Sequence, residues 1–344
     1  MPNLSSTLNA FPACRIAVVG DLMLDEYLWG HIERISPEAP VPILSVARRT
    51  STLGGAGNVA ENLRHWGVEV TFIGVVGQDE TARQVYALLQ AHGVNTKGVL
   101  TDPLRKTTRK ARLMSLEHGQ QVFRLDEEST FIVKGEIENN LIDAIRKMDQ
   151  GVQAIVCSDY MKGVLSEKVL AAVFEFARVR GIRGIVAPKD SNAEKYRGAN
   201  ILMPNSTELR QMTSQRVNQD ATQDPNQEMW LDTSARSLVE ALSLEALLVT
   251  RGSEGMSLFE NSASGLRRVD IPTMARSVYD VTGAGDTAIA AFSAAVASGA
   301  DLGAAAQLAN LSAGIKVGKR GTACVDLEEI RASLKEVRAP HDSV

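Results

Sequence analysis

The chain has 344 residues, 44% hydrophobic and 23% charged, which is a globular rather than a disordered composition. Lys and Arg number 37 against 41 Asp and Glu, a net charge of −4, so the overall basic footprint of a nucleic-acid binder is absent. Cys14, Cys157 and Cys324 are odd in number and lack CxxC spacing, and the five histidines form no HxxxH or HExxH pair, so neither a disulfide framework nor a zinc site is expected.

Residues 1–13 are polar and are expected to be flexible, as are 339–344. No basic stretch followed by an apolar one opens the chain, and no apolar run reaches the ~18 residues of a membrane span. A cytoplasmic protein without membrane contact is therefore expected. Arg15 to Asp21 (RIAVVGD) reads as a buried strand. Residues 22–50 carry Pro37, Pro40 and Pro42 among alternating apolar residues, the pattern of an irregular arm or small edge sheet. A helix is predicted from about residue 54, a strand over 70–77 and a helix over 82–92 that stops at Gly93. Residues 99–125 read as extended and basic, with Arg105, Lys106, Arg109, Lys110, Arg112 and Arg124.

From there the alternation is regular. Helices are predicted at 136–148, 166–180, about 207–212, 233–242, 285–298, 302–317 and 326–337. Strands are predicted at 154–157, 182–187, 200–203 and 246–250, with a hairpin over 255–271. Residues 214–232 are polar, with no clear pattern. Strands alternating with helices predict an α/β fold, a mainly parallel central sheet with helices on both faces. The expected organisation is one domain over 14–338, with a small β appendage from about 22–50 and 99–125.

The strongest motif is Asp280-Val281-Thr282-Gly283-Ala284-Gly285-Asp286-Thr287, which opens an Ala-rich helix. Glycines let the backbone approach a ligand, and free amides at a helix start make an anion site. An acid inside such a turn makes sense as a base that takes a hydroxyl proton while the amides hold a phosphoryl group. The alternative is a plain glycine-rich loop with Asp286 at a helix start. Gly54-Gly55-Ala56-Gly57-Asn58-Val59-Ala60 also opens a helix. It admits a polar ligand, or a dinucleotide in an NAD-dependent oxidoreductase, or is only a tight turn.

Asn205-Ser206-Thr207-Glu208 follows a strand, so Asn205 and Glu208 can point to one side of a starting helix; an ordinary capping box explains the same spacing. Thr250 to Gly255 (TRGSEG) and Ser158 to Gly163 (SDYMKG) follow strand ends, where ligands of parallel sheets sit. Lys162 there could hold a phosphate or be a solvated surface lysine. Asp25 lies just past the first strand and could accept bonds from sugar hydroxyls. No P-loop GxxxxGK[ST] is present.

In this order, a GD strand end, GGAGN, NSTE, TRGSEG and DVTGAGD, the segments resemble the ribokinase-like (PfkB) carbohydrate kinases from about Arg15 to Glu336. Within that family, Arg34 to Pro42 (RISPEAPVP), the run 54–62 and Ser158 to Gly163 are similar to D-glycero-β-D-manno-heptose-7-phosphate kinases. The resemblance implies ATP-dependent phosphorylation of the anomeric C1 hydroxyl to a 1,7-bisphosphate, on the way to ADP-heptose for lipopolysaccharide. Another sugar or sugar phosphate as acceptor is the alternative. The end at Val344 fits the kinase-only form. The small β appendage becomes a lid over the sugar, which could also pair two copies in a homodimer.

By matching motif, the resemblance implies Asp286 as the base and the amides of Gly283, Ala284, Gly285 and Asp286 as the anion hole. Lys189, Asn205, Ser206, Thr207, Glu208, Thr250, Gly252 and Gly255 fall on the ATP side, with Glu208 organising Mg²⁺ through water. Asp25, Gly54, Gly55 and Asn58 fall on the sugar side. A monovalent cation is a further possible cofactor. A sugar that already carries a phosphate needs its own cations, and Lys162, Arg109 and Arg124 are the candidates, with ordinary surface charge as the alternative. The strand end Ala187-Pro188-Lys189 departs from the usual Asp-Pro-Lys of related heptose kinases.

Overall fold

The computed structural model describes residues 4–214, 227–275, 277–319, 321 and 323–338. In chain order it forms α1 (Leu4–Ala10), β1 (Arg15–Gly20), β2 (Leu22–Ile35), β3 (Pro42–Gly55), α2 (Ala56–His65), β4 (Glu69–Val76), α3 (Glu80–Ala91) and β5 (Asn95–Thr101). There follow β6 (Thr108–Ser115), β7 (Gln121–Glu127), α4 (Gly135–Arg146), β8 (Ala154–Ser158), α5 (Glu167–Arg180), β9 (Arg183–Ala187), β10 (Ile201–Leu202) and α6 (Ser206–Thr213). The chain continues through α7 (Gln227–Leu242), β11 (Ala246–Thr250), β12 (Met256–Ser262), β13 (Gly265–Ile271), α8 (Ala284–Ala297), α9 (Leu302–Lys316) and α10 (Leu327–Arg338).

A nine-stranded sheet runs in the order β13-β12-β11-β10-β9-β8-β1-β4-β5. Neighbours from β11 to β5 are parallel, and the β12–β13 hairpin adds the antiparallel edge. Strands buried on both faces read as continuous apolar runs, as β1 does after its exposed first residue, Arg15. There Ile16 and Val18 belong to the core that includes α2, α8 and α9, while Ala17 and Val19 belong to the core that includes α4, α5 and α7. The expected α/β architecture is present. Local signals bound the helices: Ser166 caps α5 by accepting from the Val169 amide, and Gly181 ends it in the left-handed conformation.

The second sheet has four strands in the order β3-β2-β6-β7. It is the β appendage expected from 22–50 and 99–125, with different edges. β3 runs on to Gly55, and residues 99–101 belong to β5 of the large sheet. The expectation of a flexible 1–13 is corrected for residues 4–13. Leu4, Leu8 and Phe11 are buried, and burying a side chain such as Leu8 or Phe11 contributes about 1.5–3 kcal/mol. Residues 339–344, and 215–226 of the polar stretch, lie outside the described residues. The C-terminal ends of the parallel strands, the start of α8 and one face of the small sheet converge, and most of the candidate residues lie there. No helix among the described residues is long and apolar enough to cross a membrane.

Candidate functional site

Asp286 lies in the first turn of α8. Tyr160 donates its hydroxyl to Asp286 Oδ1 at 2.5 Å, and Asn58 donates Nδ2 to Oδ2 at 2.7 Å. Each oxygen thus has one protein donor and a lone pair to spare. Burial pushes the Asp286 carboxyl up, the bonds from Tyr160 and Asn58 pull it down, and it stands at about 6. The charge of Asp25 raises it further and that of Lys110 lowers it. Asn58 is itself held by Asn62, which donates to its carbonyl at 2.8 Å and to its Oδ1 at 3.1 Å.

The GGAGN segment is a structural hinge into this network. β3 ends at Gly55 antiparallel to β2, so the segment does not follow a first parallel strand and does not form a dinucleotide fingerprint. A Cβ at Gly54 would sit 2.7 Å from Asp25 Oδ2, so glycine lets β3 pass the carboxylate. Gly283 has φ +78, and a Cβ there would meet Asn58 Nδ2 at 2.8 Å. Among the described residues, the amides of Gly283, Gly285 and Asp286 have no backbone acceptor, while that of Ala284 donates to Val281 O at 3.2 Å. Of the four amides expected to face an anion, three therefore lack a backbone partner among the described residues.

The Ser158–Gly163 loop brings Tyr160 to Asp286. Buried Asp21 accepts the amides of Tyr160 at 2.8 Å and of Lys162 and Val164 at 3.1 Å. Arg105 holds the Lys162 carbonyl at 3.0 Å. The Lys162 ammonium pairs with Glu128 at 2.7 Å. Met161 sits at φ +56, a conformation that costs a non-glycine residue energy and persists only where surroundings enforce it.

Across from Asp286 stands one face of the small sheet. β2 and β6 pair in parallel with Asp25 beside Lys110 and Tyr27 beside Arg112. Arg112 bridges Asp25 at 2.6 Å. Lys110 lies 5.9 Å from the centre of the Tyr160 ring, and among the described residues it makes no ion pair. Burial pushes the Lys110 ammonium down, with Asp25 and Asp126 opposing that and Lys162 and Arg112 adding to it. Arg124 shares this face, opposite Arg112, but is half-exposed and paired with Asp126 at 2.9 Å.

Arg109 is a correction. It points to the other face, where it bridges buried Glu26 at 2.9 Å and Glu127 at 2.6 Å. Strand alternation sends neighbours to opposite faces, so Lys110 and Arg112 enter the site and Arg109 does not.

On the side expected to take the nucleotide, Thr250, Gly252, Gly255, Val281, Ala284 and Gly285 line a pocket of about 350 Å³ that reaches the start of α8. Asn205 and Glu208 form a full capping box: Asn205 Oδ1 accepts the Glu208 amide at 2.8 Å, and Glu208 Oε2 accepts the Asn205 amide at 2.9 Å. Glu208 Oε1 accepts from Lys189 Nζ at 2.9 Å. Ser206 donates to the Thr250 carbonyl at 3.4 Å, and Thr207 is exposed. Ala187 offers no carboxylate at its strand end, and Lys195 pairs with Asp159 at 2.6 Å and Asp190 at 3.5 Å. Tyr160, Lys110 and Arg112 are the residues that sequence reasoning missed. Position parity along β6 identifies the last two, but nothing in the sequence aims Tyr160 at Asp286.

The sequence model of the pfkB family carbohydrate kinases matches residues 14–329. The chain belongs to that family. It is 44% identical over 329 residues to a protein named bifunctional protein HldE from Geotalea uraniireducens, covering 96% of this chain and 64% of that one. It is 42% identical over 332 residues to the protein of the same name from Geobacter sulfurreducens, covering 96% and 65%. The family member thus spans about 64% of the length of the curated relatives it matches. Among solved structures, Arabidopsis thaliana ribokinase complexed with ribose and ATP has a TM-score of 0.69 at 19% identity, covering 94% of this chain and 99% of that one. Escherichia coli phosphofructokinase-2 in complex with potassium gives 0.75 at 19%, covering 95% and 100%. These two likenesses establish the ribokinase-like fold.

Proposed function

We propose that this pfkB family member transfers the γ-phosphoryl group of ATP to the C1 hydroxyl of D-glycero-β-D-manno-heptose 7-phosphate, as a step toward ADP-heptose for lipopolysaccharide. The observation that carries the reading is a raised, doubly hydrogen-bonded Asp286 between the bare amides of α8 and a cationic sheet face. Asp286 takes the C1 hydroxyl proton. The C1 oxygen bonds to the γ-phosphorus as its bond to the β–γ bridging oxygen breaks, and ADP leaves. The amides of Gly283, Gly285 and Asp286 face the charge that develops on the transferring group.

ATP lies in the pocket lined by Thr250, Gly252 and Gly255, with Lys189 toward its phosphates. The donor set fits a Mg²⁺ held mainly by phosphates and water, because both Glu208 oxygens already have protein partners. Glu208 would act through water, and the ion would neutralise phosphate charge. Asp25, Gly54, Gly55 and Asn58 border the sugar. Lys110, Arg112 and Lys162 take the sugar's existing phosphate, with Arg124 at the rim.

A homodimer through the small sheet, in the cytoplasm, completes the reading. Edge strand β7 exposes Phe123 and Leu125 on the Arg109 face, and sedimentation of the intact chain tests the pairing. The reaction is tested by ADP release with Mg-ATP against the heptose 7-phosphate, unphosphorylated heptose, fructose 6-phosphate and ribose. Turnover confined to the heptose 7-phosphate supports the reading. Turnover on another sugar keeps the kinase and discards this acceptor.

A further inference from the structure

Lys316 is a buried cation that the chemistry above leaves unused. It ends α9 and is 1% exposed, whereas lysine is almost never fully buried without a partner. Its Nζ donates to the Gly321 carbonyl at 2.6 Å. The Gly321 amide donates to Asp280 Oδ2 at 2.8 Å, and Asp280 Oδ1 accepts the Thr282 amide at 2.9 Å. The amides of Tyr279 and Asp280 both donate to the carbonyl of Val317, at 2.7 and 3.0 Å. The end of α9 is thus laced to the turn that opens α8. The lysine stem lies close to that turn: a Cβ added at Gly283 would be 3.6 Å from Lys316 Cε.

The electrostatics agree with the geometry. Burial pushes the Lys316 ammonium down, while the charges of Asp280 and Asp286 hold it up. Burial alone would raise the Asp280 carboxyl, but the amides of Thr282 and Gly321 and the Lys316 charge together hold it below its usual range. A cation also suits the C-terminal end of a helix dipole. Its charge acts through a low-dielectric interior, where it counts for more than in water.

We propose that Lys316 is a built-in cation of the phosphate-binding turn. Its ammonium sits on the Gly321 carbonyl behind Gly283, where an exchangeable monovalent cation would do the same work, and phosphoryl transfer by this chain needs no such cation. Lys316 is a positioning residue: it fixes the Asp280–Gly283 turn and offsets the negative charge that gathers at the amides. The inference rests on the kinase reading of that turn.

The test compares the intact chain in a buffer whose only monovalent cation is tetramethylammonium with the same buffer plus potassium or ammonium. The wild-type rate changes by less than about twofold, while Lys316→Met loses about 10- to 100-fold in kcat, with the sugar KM little moved. Ammonium or potassium restores the variant saturably. Lys316→Ala responds likewise to methylammonium, which fills the space of the missing stem. Mg-ATP affinity measured by calorimetry without sugar follows the same pattern, so a wrong sugar assignment leaves this readout intact. A wild-type rate that rises more than about fivefold with potassium, a variant as active as wild type without added cation, or a loss that no cation restores overturns the inference.

Discussion

Asp25 and Glu26 are neighbours on β2, both buried, and each is bridged by an arginine of β6, yet the two sides of that strand do different things. On the Glu26 side the charges close on themselves: Arg109 joins Glu26 to Glu127, and Arg49 reaches Glu26 at 3.3 Å. On the Asp25 side Arg112 pairs with Asp25, and Lys110 is left over, facing Tyr160. Ion pairs alone therefore do not mark a site, since both faces have them. The mark is a half-buried cation that pairs with no anion among the described residues, on the face turned toward Asp286.

The contrast can be broken or sharpened by substitution. The largest effect is expected at the point both sheets converge on: Asp286→Asn lowers kcat by about 10²- to 10⁴-fold and leaves Mg-ATP affinity by calorimetry nearly unchanged. Retention of most turnover would remove the base. Next come the cations of the inner face. Lys110→Met raises KM for the phosphosugar by about 10- to 100-fold, the loss expected for one charge-assisted contact, with KM for ATP little changed. Equal changes in both constants would contradict the cradle.

A smaller effect belongs to Tyr160. In the proposed role Asp286 works as the carboxylate, and its carboxyl is raised to about 6, so kcat/KM is expected to fall as pH drops through about 6. Tyr160→Phe removes a bond that favours the charged form, so the acid limb moves to higher pH. A limb that stays in place would show that the hydroxyl does not tune the base. The smallest catalytic effect is on the outer face. Arg109→Ala leaves both KM values within about twofold and costs about 1–3 kcal/mol of stability in denaturant melts, because Glu26 loses a buried partner.

The parallel sheet was legible because buried strands read as apolar runs and helices announce their ends, as Ser166 and Gly181 do around α5. Asp286 and Asn58 stood out because glycine turns at helix starts can admit a ligand, and the structure joins the two by a hydrogen bond of 2.7 Å. What escaped depends on the third dimension. Tyr160 reaches Asp286 only because Asp21 gathers the three amides of its loop. Arg109 was preferred to Lys110 because composition does not say which face of β6 turns inward; β2–β6 pairing does. The N-terminal segment looked frayed because Leu4, Leu8 and Phe11 are apolar positions in a polar run, and only their burial against the large sheet's helices explains them.

The central claim is that the inner face of the small sheet reads a phosphate already on the sugar while Asp286 works on its far end. Its most direct test is the ratio of kcat/KM for the heptose 7-phosphate to that for unphosphorylated heptose, in wild type and in Lys110→Met. The account predicts a large ratio in the wild type that collapses by about tenfold or more in the variant, with the rate on unphosphorylated heptose little changed at a pH well above the Asp286 value of about 6. An equal loss on both sugars, leaving the ratio intact, would contradict it.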